Sequence, residues 1–202
     1  MYNIQKIGAI AAFVNVFVAM ATLYVAIVLI GPAVFTDPAK LIDMAIHNPT
    51  PLIIQDALKY ISAGISFVLI AALFMFCDQK KSTALTLGVG FGFLAAFCLV
   101  INASLSMFAV SKATTFLENG EMGIQLNFII SLFALAVLLL NGIWLIVFNF
   151  VALKAKCLPK KLAYLGLTMG VLNLVPPLAL LALVLSIFWS IWIGLILIKK
   201  TG

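Results

Sequence analysis

The feature that most constrains this chain is a series of long apolar runs that contain no charged residue. Four runs cover residues 7–30, 61–77, 83–110 and 126–153, and a fifth extends over 162–198. Each is close to or above the ~20 residues with which a helix crosses ~30 Å of hydrocarbon. Charged residues make up only 9% of the 202 positions, whereas a soluble domain carries roughly 25%. The sequence therefore predicts an integral membrane protein.

The fifth run contains two adjacent prolines, Pro176 and Pro177, which predict a helix turn. A single helix over 162–198 would be about 55 Å long, far more than the hydrocarbon core is thick. Proline disfavours helix at the preceding residue and is well accepted in the first turn of a new helix. We therefore expect two antiparallel spans, with the chain reversing between Asn173 and Pro177.

Together the runs predict an all-α fold, in which one transmembrane domain covers residues 1–202. We expect an integral membrane helical bundle of six transmembrane helices arranged as three consecutive hairpins. A short amphipathic helix is also expected in the first outer loop, because Asp37 can cap it and Asn48-Pro49 ends it. The six expected spans are about 7–30, 53–77, 83–110, 124–153, 159–175 and 177–198.

The lysines predict the orientation of these spans. All twelve cationic residues are Lys, and the chain has no separate basic domain, so a nucleic-acid partner is not indicated. If the N-terminus is cytoplasmic, nine lysines lie inside and three, Lys40, Lys59 and Lys112, lie outside. Short cytoplasmic loops show this bias. We therefore expect both termini in the cytoplasm.

Small and polar residues recur every three or four positions on several spans and predict helix contacts. Four asparagines stand out in these stripes as a candidate polar packing or solute layer: Asn15, Asn102, Asn141 and Asn173. Asn15 and Asn141 are expected at similar depth, facing the interior and bonded directly or through one water. A permeation path would use the same residue types. Packing is favoured because the span centres lack charge.

Residues typical of catalysis or cofactor binding are missing from the expected spans. The single histidine, His47, lies in the first outer loop, so neither haem ligation nor a zinc site is indicated. We predict no catalytic residue, metal or cofactor. Asp56 and Lys59 are one helical turn apart and are expected to form a surface salt bridge. Cys77 and Cys157 should both lie at the cytoplasmic face, where a structural disulfide is not expected.

The closing segment "NLVPPLALLALVLSIFWSIWIG", together with the hydropathy of the whole chain, resembles an uncharacterised bacterial family of multi-span membrane proteins that carries a domain of unknown function. The resemblance implies a bacterial inner (plasma) membrane location and no particular activity. From the residues we expect a non-enzymatic accessory or scaffolding subunit of a larger membrane complex, or a homo-oligomer, whose partners are the lipid bilayer and other membrane protein chains. The alternative is a small carrier or channel for a neutral or lipid-like solute.

Overall fold

The computed structural model describes residues 2–77 and 82–199 of the chain, and within these ranges the protein contains helices and no strand. The first helix, α1, continues into a π-helical turn at Val25–Ile30. The α-helices are α1 (Tyr2–Tyr24), α2 (Pro32–Thr36), α3 (Pro38–His47), α4 (Thr50–Cys77), α5 (Thr83–Ser111), α6 (Ala113–Glu118), α7 (Gly120–Ala155), α8 (Lys160–Asn173) and α9 (Ala179–Lys199).

Five of these helices are long and apolar enough to cross a membrane: α1 with its π-helical extension, α4, α5, α7 and α9 with the turn before it. The sixth expected span corresponds to α8, which has 14 residues. At 1.5 Å per residue α8 is about 21 Å long, shorter than the ~30 Å hydrocarbon core. The all-helical, apolar character of the chain is therefore confirmed. By length and composition five helices could cross a membrane, whereas six spans were expected.

The short helix α3 begins at Pro38, directly after Asp37, and ends at His47. An Asp37 side-chain oxygen accepts a hydrogen bond from the Ala39 backbone N–H at 3.0 Å, which satisfies one of the free donors at the helix start. The exposed side chains of Asp43 and His47 lie 3.0 Å apart on one face. An amphipathic helix thus occupies the first loop between long helices.

The chain reverses at the two prolines. Helix α8 ends at Asn173, Val175 is extended (φ −115°, ψ 94°), and Pro176–Leu178 form one turn of 3₁₀-helix before α9 begins. Helix α9 then packs back against α8. Because proline has no N–H and disfavours helix at the residue before it, this sequence interrupts what would otherwise be one continuous apolar helix.

Six helices form a closed ring. Helix α1 packs against α4 and α9, α5 packs against α4 and α7, and α8 packs against α7 and α9. Each helix thus contacts its two neighbours in the order α1–α4–α5–α7–α8–α9, and the last returns to the first. The short α8 is a full member of this ring.

Glycines allow α7 and α8 to approach closely. A Cβ atom at Gly142 would lie 2.9 Å from the Gly170 carbonyl oxygen, and one at Gly166 would overlap the Asn149 side chain. Small residues at such contacts let helix backbones approach within reach of one another. Gly166 and Gly170, two small residues at a spacing of four on α8, therefore lie in a helix contact.

One end of the ring is sealed by apolar side chains. The largest of them, Phe148, Leu73, Leu85 and Leu162, are completely or almost completely buried. They come from α4, α5, α7 and α8, near the end where α4 stops and α8 starts. Among the described residues, this end of the ring is therefore filled by packed side chains.

The same end carries a disulfide, which corrects the expectation that Cys77 and Cys157 stay unpaired. Their sulfur atoms are bonded and their Cα atoms lie 5.7 Å apart. Cys77 is the last residue of α4, and Cys157 lies in the link from α7 to α8. The reasoning from compartment alone was wrong for this structure because the ring brings these two helix ends together.

Candidate functional site: a polar cavity inside the helix ring

The ring surrounds a partly open cavity of about 510 Å³. All six helices contribute to its lining, together with the π-helical turn after α1. The volume falls in the range of about 300 to 1,000 Å³ that small-molecule sites occupy. A cavity of this size between helices is therefore the first candidate for a functional site.

The cavity exists because short elements and small side chains leave the ring unfilled near the proline turn. Helix α8 stops at Asn173, and the chain reverses before it has extended as far as its neighbours. Four alanines from α1, the π-helical turn and α9 line the space without filling it: Ala19, Ala26, Ala179 and Ala182. The side opposite the disulfide end is thus the more open part of the ring.

Three of the four predicted asparagines line this cavity: Asn15, Asn141 and Asn173. The Asn15 amide donates to Ser190 Oγ on α9 at 2.9 Å, and no direct bond joins Asn15 to Asn141; a bond through one water stays a prediction. The side-chain amides of Asn141 and Asn173 have no bond within the described part of the chain. They are free to bond a guest.

The fourth asparagine, Asn102, lies elsewhere. Its amide donates to the Ile130 carbonyl oxygen at 2.8 Å and its side chain is buried between α5 and α7. A bond from a side chain to a backbone carbonyl joins two helices at their contact. Asn102 therefore has a packing role, apart from the cavity.

A polar wall of α4 faces the cavity, and sequence reasoning missed it. Gln55, Lys59, Ser62 and Ser66 line the space. The signal that could have revealed this wall is their spacing of four, three and four residues, which places them on one helix face. The expected surface salt bridge between Lys59 and Asp56 conceals this stripe, because it places Lys59 on the outside of the helix.

The Asp56–Lys59 pair corrects that assignment. Lys59 Nζ donates to Asp56 Oδ1 at 2.8 Å, and the side chains are 26% and 2% exposed. At 1.5 Å per residue the pair lies about 9 to 14 Å along α4 from its start. The expected salt bridge is present, but its surface location was wrong. Helical spacing shows that two residues are neighbours and does not show whether the face that they share is turned inward.

Two side-chain oxygen atoms at this part of α4 are buried and unbonded: Oε1 of Gln55, which belongs to the wall, and Oδ2 of Asp56, which does not line the cavity. Buried polar atoms nearly always have a partner in protein or water, so each exception needs a physical explanation. Both atoms are hydrogen-bond acceptors. Each of these oxygens therefore lacks a hydrogen-bond donor. The opposite charges of Lys59 and Asp56 cancel each other.

A second cavity, of about 380 Å³, lies at the end of the ring near α3 and α6. Both cavities have mainly apolar linings; the second includes Leu41, Val110, Phe116 and Ile124, and Asn127 is one of its polar side chains. It lacks an ionic pair or a converging set of amides. The polar cavity therefore has the greater chemical specificity.

No group of three or more metal-ligating side chains occurs in residues 2–77 and 82–199. Comparison with protein-family models, curated proteins and solved structures finds no match to this chain. Its function must therefore be argued from the helix ring and the polar cavity.

Proposed function

We propose that the protein is a small multi-pass membrane carrier that binds a small polar solute in the cavity of its helix ring and moves it without net transfer of charge. The observation that carries this proposal is a space of about 510 Å³ lined by all six helices of the ring. The proline turn lies between Asn173 and Ala179, which both line this space, so the short α8 and its turn leave room for a solute there.

The proposed membrane arrangement uses six spans. Five helices have the length to cross, and α8 with the proline turn makes a shorter sixth. A turn below the membrane surface is acceptable where neighbouring helices shield its backbone from lipid. We place the protein in a bacterial inner membrane with both termini in the cytoplasm, since nine of the twelve lysines then lie inside.

The cavity lining supports solute binding over packing alone. A helix contact normally satisfies its own polar groups, whereas Asn141 and Asn173 face the space without a bond. Side-chain amides offer both donors and acceptors, and the Asp56–Lys59 pair adds no net charge. Such a lining fits a small polar solute that forms hydrogen bonds with side-chain amides.

Access of water to the cavity tests this proposal without knowledge of the solute. In a cysteine-free background, we expect a thiol introduced by Ser62→Cys to react with a small water-soluble reagent, because Ser62 lines the cavity. Gly64→Cys on the same helix is the matched control, since Gly64 is exposed on the ring's outside with nothing within 4 Å of its Cβ position. It should stay unmodified in membranes. Equal protection of both thiols would contradict a water-filled cavity.

A second candidate function is that of a subunit in a larger membrane complex or homo-oligomer. The specific observation is that Asn127, Ser131 and Ala134, which recur at helical spacing on one face of α7, are exposed. Polar side chains on a membrane helix are stabilised by bonds to another helix. Extraction in a mild detergent should then give a particle larger than one 21.7 kDa chain plus detergent, as measured by native mass spectrometry; a single chain would contradict this candidate.

A further inference from the structure

We propose that the solute is a small monocarboxylate that enters the cavity together with one proton, the proton binding to Asp56 and the carboxylate to Lys59. This inference rests on the proposed carrier function and names its substrate class. It starts from the ionic pair of Lys59 and Asp56, in which Lys59 lines the polar cavity and the buried Asp56 bonds to it without being part of the lining.

The two oxygens of Asp56 have different surroundings. Oδ1 accepts from Lys59 Nζ at 2.8 Å, while Oδ2 is buried and has no hydrogen-bond partner. Gln55 Oε1, another buried acceptor without a partner, belongs to the preceding residue. A buried acceptor without a hydrogen bond is unfavourable, and a donor stabilises it. When Asp56 binds a proton at Oδ2, that oxygen becomes a hydroxyl and can itself donate a hydrogen bond.

Lys59 is the cationic side chain of the cavity lining. It is 26% exposed, in contrast to the buried Asp56. An ammonium group has three donors, and one of them is used by Asp56. The remaining donors give an anion in the cavity a place to bind, with the amides of Asn141 and Asn173 on the same lining as further donors.

Other ionisable groups around α4 do not bond to this pair. On α1, Lys6 lies at the helix start, near the far end of α4 from this pair, and Tyr24 is exposed. The ionisable group of α5 in mid-helix is Cys98.

On α3 the ionisable side chains pair with one another and are exposed: Asp43 with His47, and Lys40 with Asp37. Tyr60 of α4 bonds to Ser104. The charge at the cavity therefore depends on Asp56, Lys59 and the guest.

Charge balance selects the substrate class. The empty cavity is neutral, because Asp56 is negative and Lys59 positive. An anion alone would leave a buried net negative charge, which is unfavourable in a low-dielectric site. If Asp56 Oδ2 takes up one proton that enters from the outside solution together with the anion, forming an O–H bond, Lys59 becomes the counter-charge of the bound anion and the loaded cavity is neutral again. One proton balances a monoanion, whereas a dianion would keep a net negative charge.

Lys59 cannot neutralise Asp56 and a bound carboxylate at the same time, and this links the two binding events. Protonation of Asp56 releases the ammonium group from its ionic partner, and a bound carboxylate stabilises the protonated form of Asp56. By thermodynamic reciprocity, each ligand then raises the affinity for the other to the same extent. A carrier built in this way moves an acid in net neutral form.

Calorimetry on the purified full chain tests the proposal with acetate, lactate and benzoate, each beside its neutral amide. We expect the carboxylates to bind at mildly acidic pH, with about tenfold weaker affinity for each pH unit of increase where Asp56 is ionised, as linkage to one proton requires. Titrations in two buffers of different ionisation enthalpy should show uptake of one proton per anion. The amides should bind without proton uptake or not at all.

Variants separate the two roles. Asp56→Asn resembles the protonated state, so it should bind the carboxylate with an affinity that no longer depends on pH and without proton uptake. The double variant D56N/K59M keeps the site neutral and should lose carboxylate binding. Lys40→Met removes an exposed lysine of α3 that pairs with Asp37 and should behave like the unmodified protein.

Each contrary result has a definite meaning. Carboxylate binding without proton uptake, or with full affinity in D56N/K59M, would overturn the assignment of Asp56 and Lys59. Binding of the amides alone would overturn the substrate class while leaving the carrier proposal in place. If none of the carboxylates binds to the unmodified protein or to Asp56→Asn, the inference is wrong; if Ser62→Cys is also protected from water-soluble reagents, the carrier proposal fails with it.

Discussion

Replacement of Lys59 by methionine is expected to lower the stability of the folded protein by about 3 to 5 kcal/mol, because it leaves the Asp56 carboxylate buried without its counter-charge. The carboxylate is 2% exposed and its only described partner is the ammonium group 2.8 Å away. Removal of one member of a buried pair is far more damaging than removal of both. Stability can be measured by thermal or detergent unfolding of the purified protein.

Two controls make this expectation specific. The double variant D56N/K59M removes both charges and should recover most of the lost stability. Lys40→Met should change stability by less than about 1 kcal/mol, because exposed ion pairs are worth little, and the Lys40–Asp37 pair is exposed and 3.8 Å apart. If Lys59→Met and Lys40→Met have equal effects, the pair is not buried in the native membrane protein.

The helices themselves could be predicted because local patterns determine them. Long uncharged apolar runs correspond to α1, α4, α5, α7 and α9. Asp37 and Pro38 mark the start of α3 through local capping chemistry. The length of α8 was less clear, since 159–175 was expected to be helical and the helix covers Lys160–Asn173. Boundaries depend on how the ends pack, which the local sequence describes poorly.

The cavity could be predicted only in part. Asparagines at helical spacing pointed to the interior, and Asn15, Asn141 and Asn173 do line one space. The identity of the neighbouring helix is a tertiary property, however, so Asn15 bonds to Ser190 and Asn102 to the Ile130 backbone. The inward face of α4 was missed for the same reason, since Asp56 and Lys59 have the same spacing on a surface and in an interior.

The cysteine pair gives the second large effect. Cys77 and Cys157 are 80 residues apart in sequence, and the chain-entropy account assigns about 4 kcal/mol to a cross-link that closes so long a loop. Inserted helices already restrict an unfolded chain in a membrane, so we expect the oxidised protein to be more stable than the reduced one by about 2 kcal/mol, the low end of the measured range. Detergent unfolding with and without reductant measures this difference.

Two variants provide the comparison. Cys77→Ser with Cys157→Ser should abolish the response to reductant and should match the reduced protein in stability. Cys98→Ala is the matched control, since Cys98 is buried and free, and it should keep the full response. If reductant destabilises the double serine variant as much as the unmodified protein, the stabilisation has another source.

The oxidation state of this pair inside cells shows which compartment this end of the ring faces, and therefore how the whole protein is oriented. Lys154, Lys156, Lys160 and Lys161 surround Cys157 in sequence, and such lysine-rich links are typical of the cytoplasmic side. Disulfides, in contrast, persist in oxidising compartments and are rare in the cytoplasm. Both observations concern the same end of the ring, so they cannot both describe the resting protein in cells.

We expect the lysine bias to determine the orientation, because the charge of short loops acts while the helices insert, whereas the ring brings the two thiols together in any compartment. Cells treated with a permeant thiol reagent before lysis should therefore yield protein modified at both Cys77 and Cys157, as measured by mass spectrometry. Mild oxidation of the purified protein should then join the pair. Recovery of the pair already joined from reagent-treated cells would show that this end faces an oxidising compartment, and would invert the proposed topology of every span.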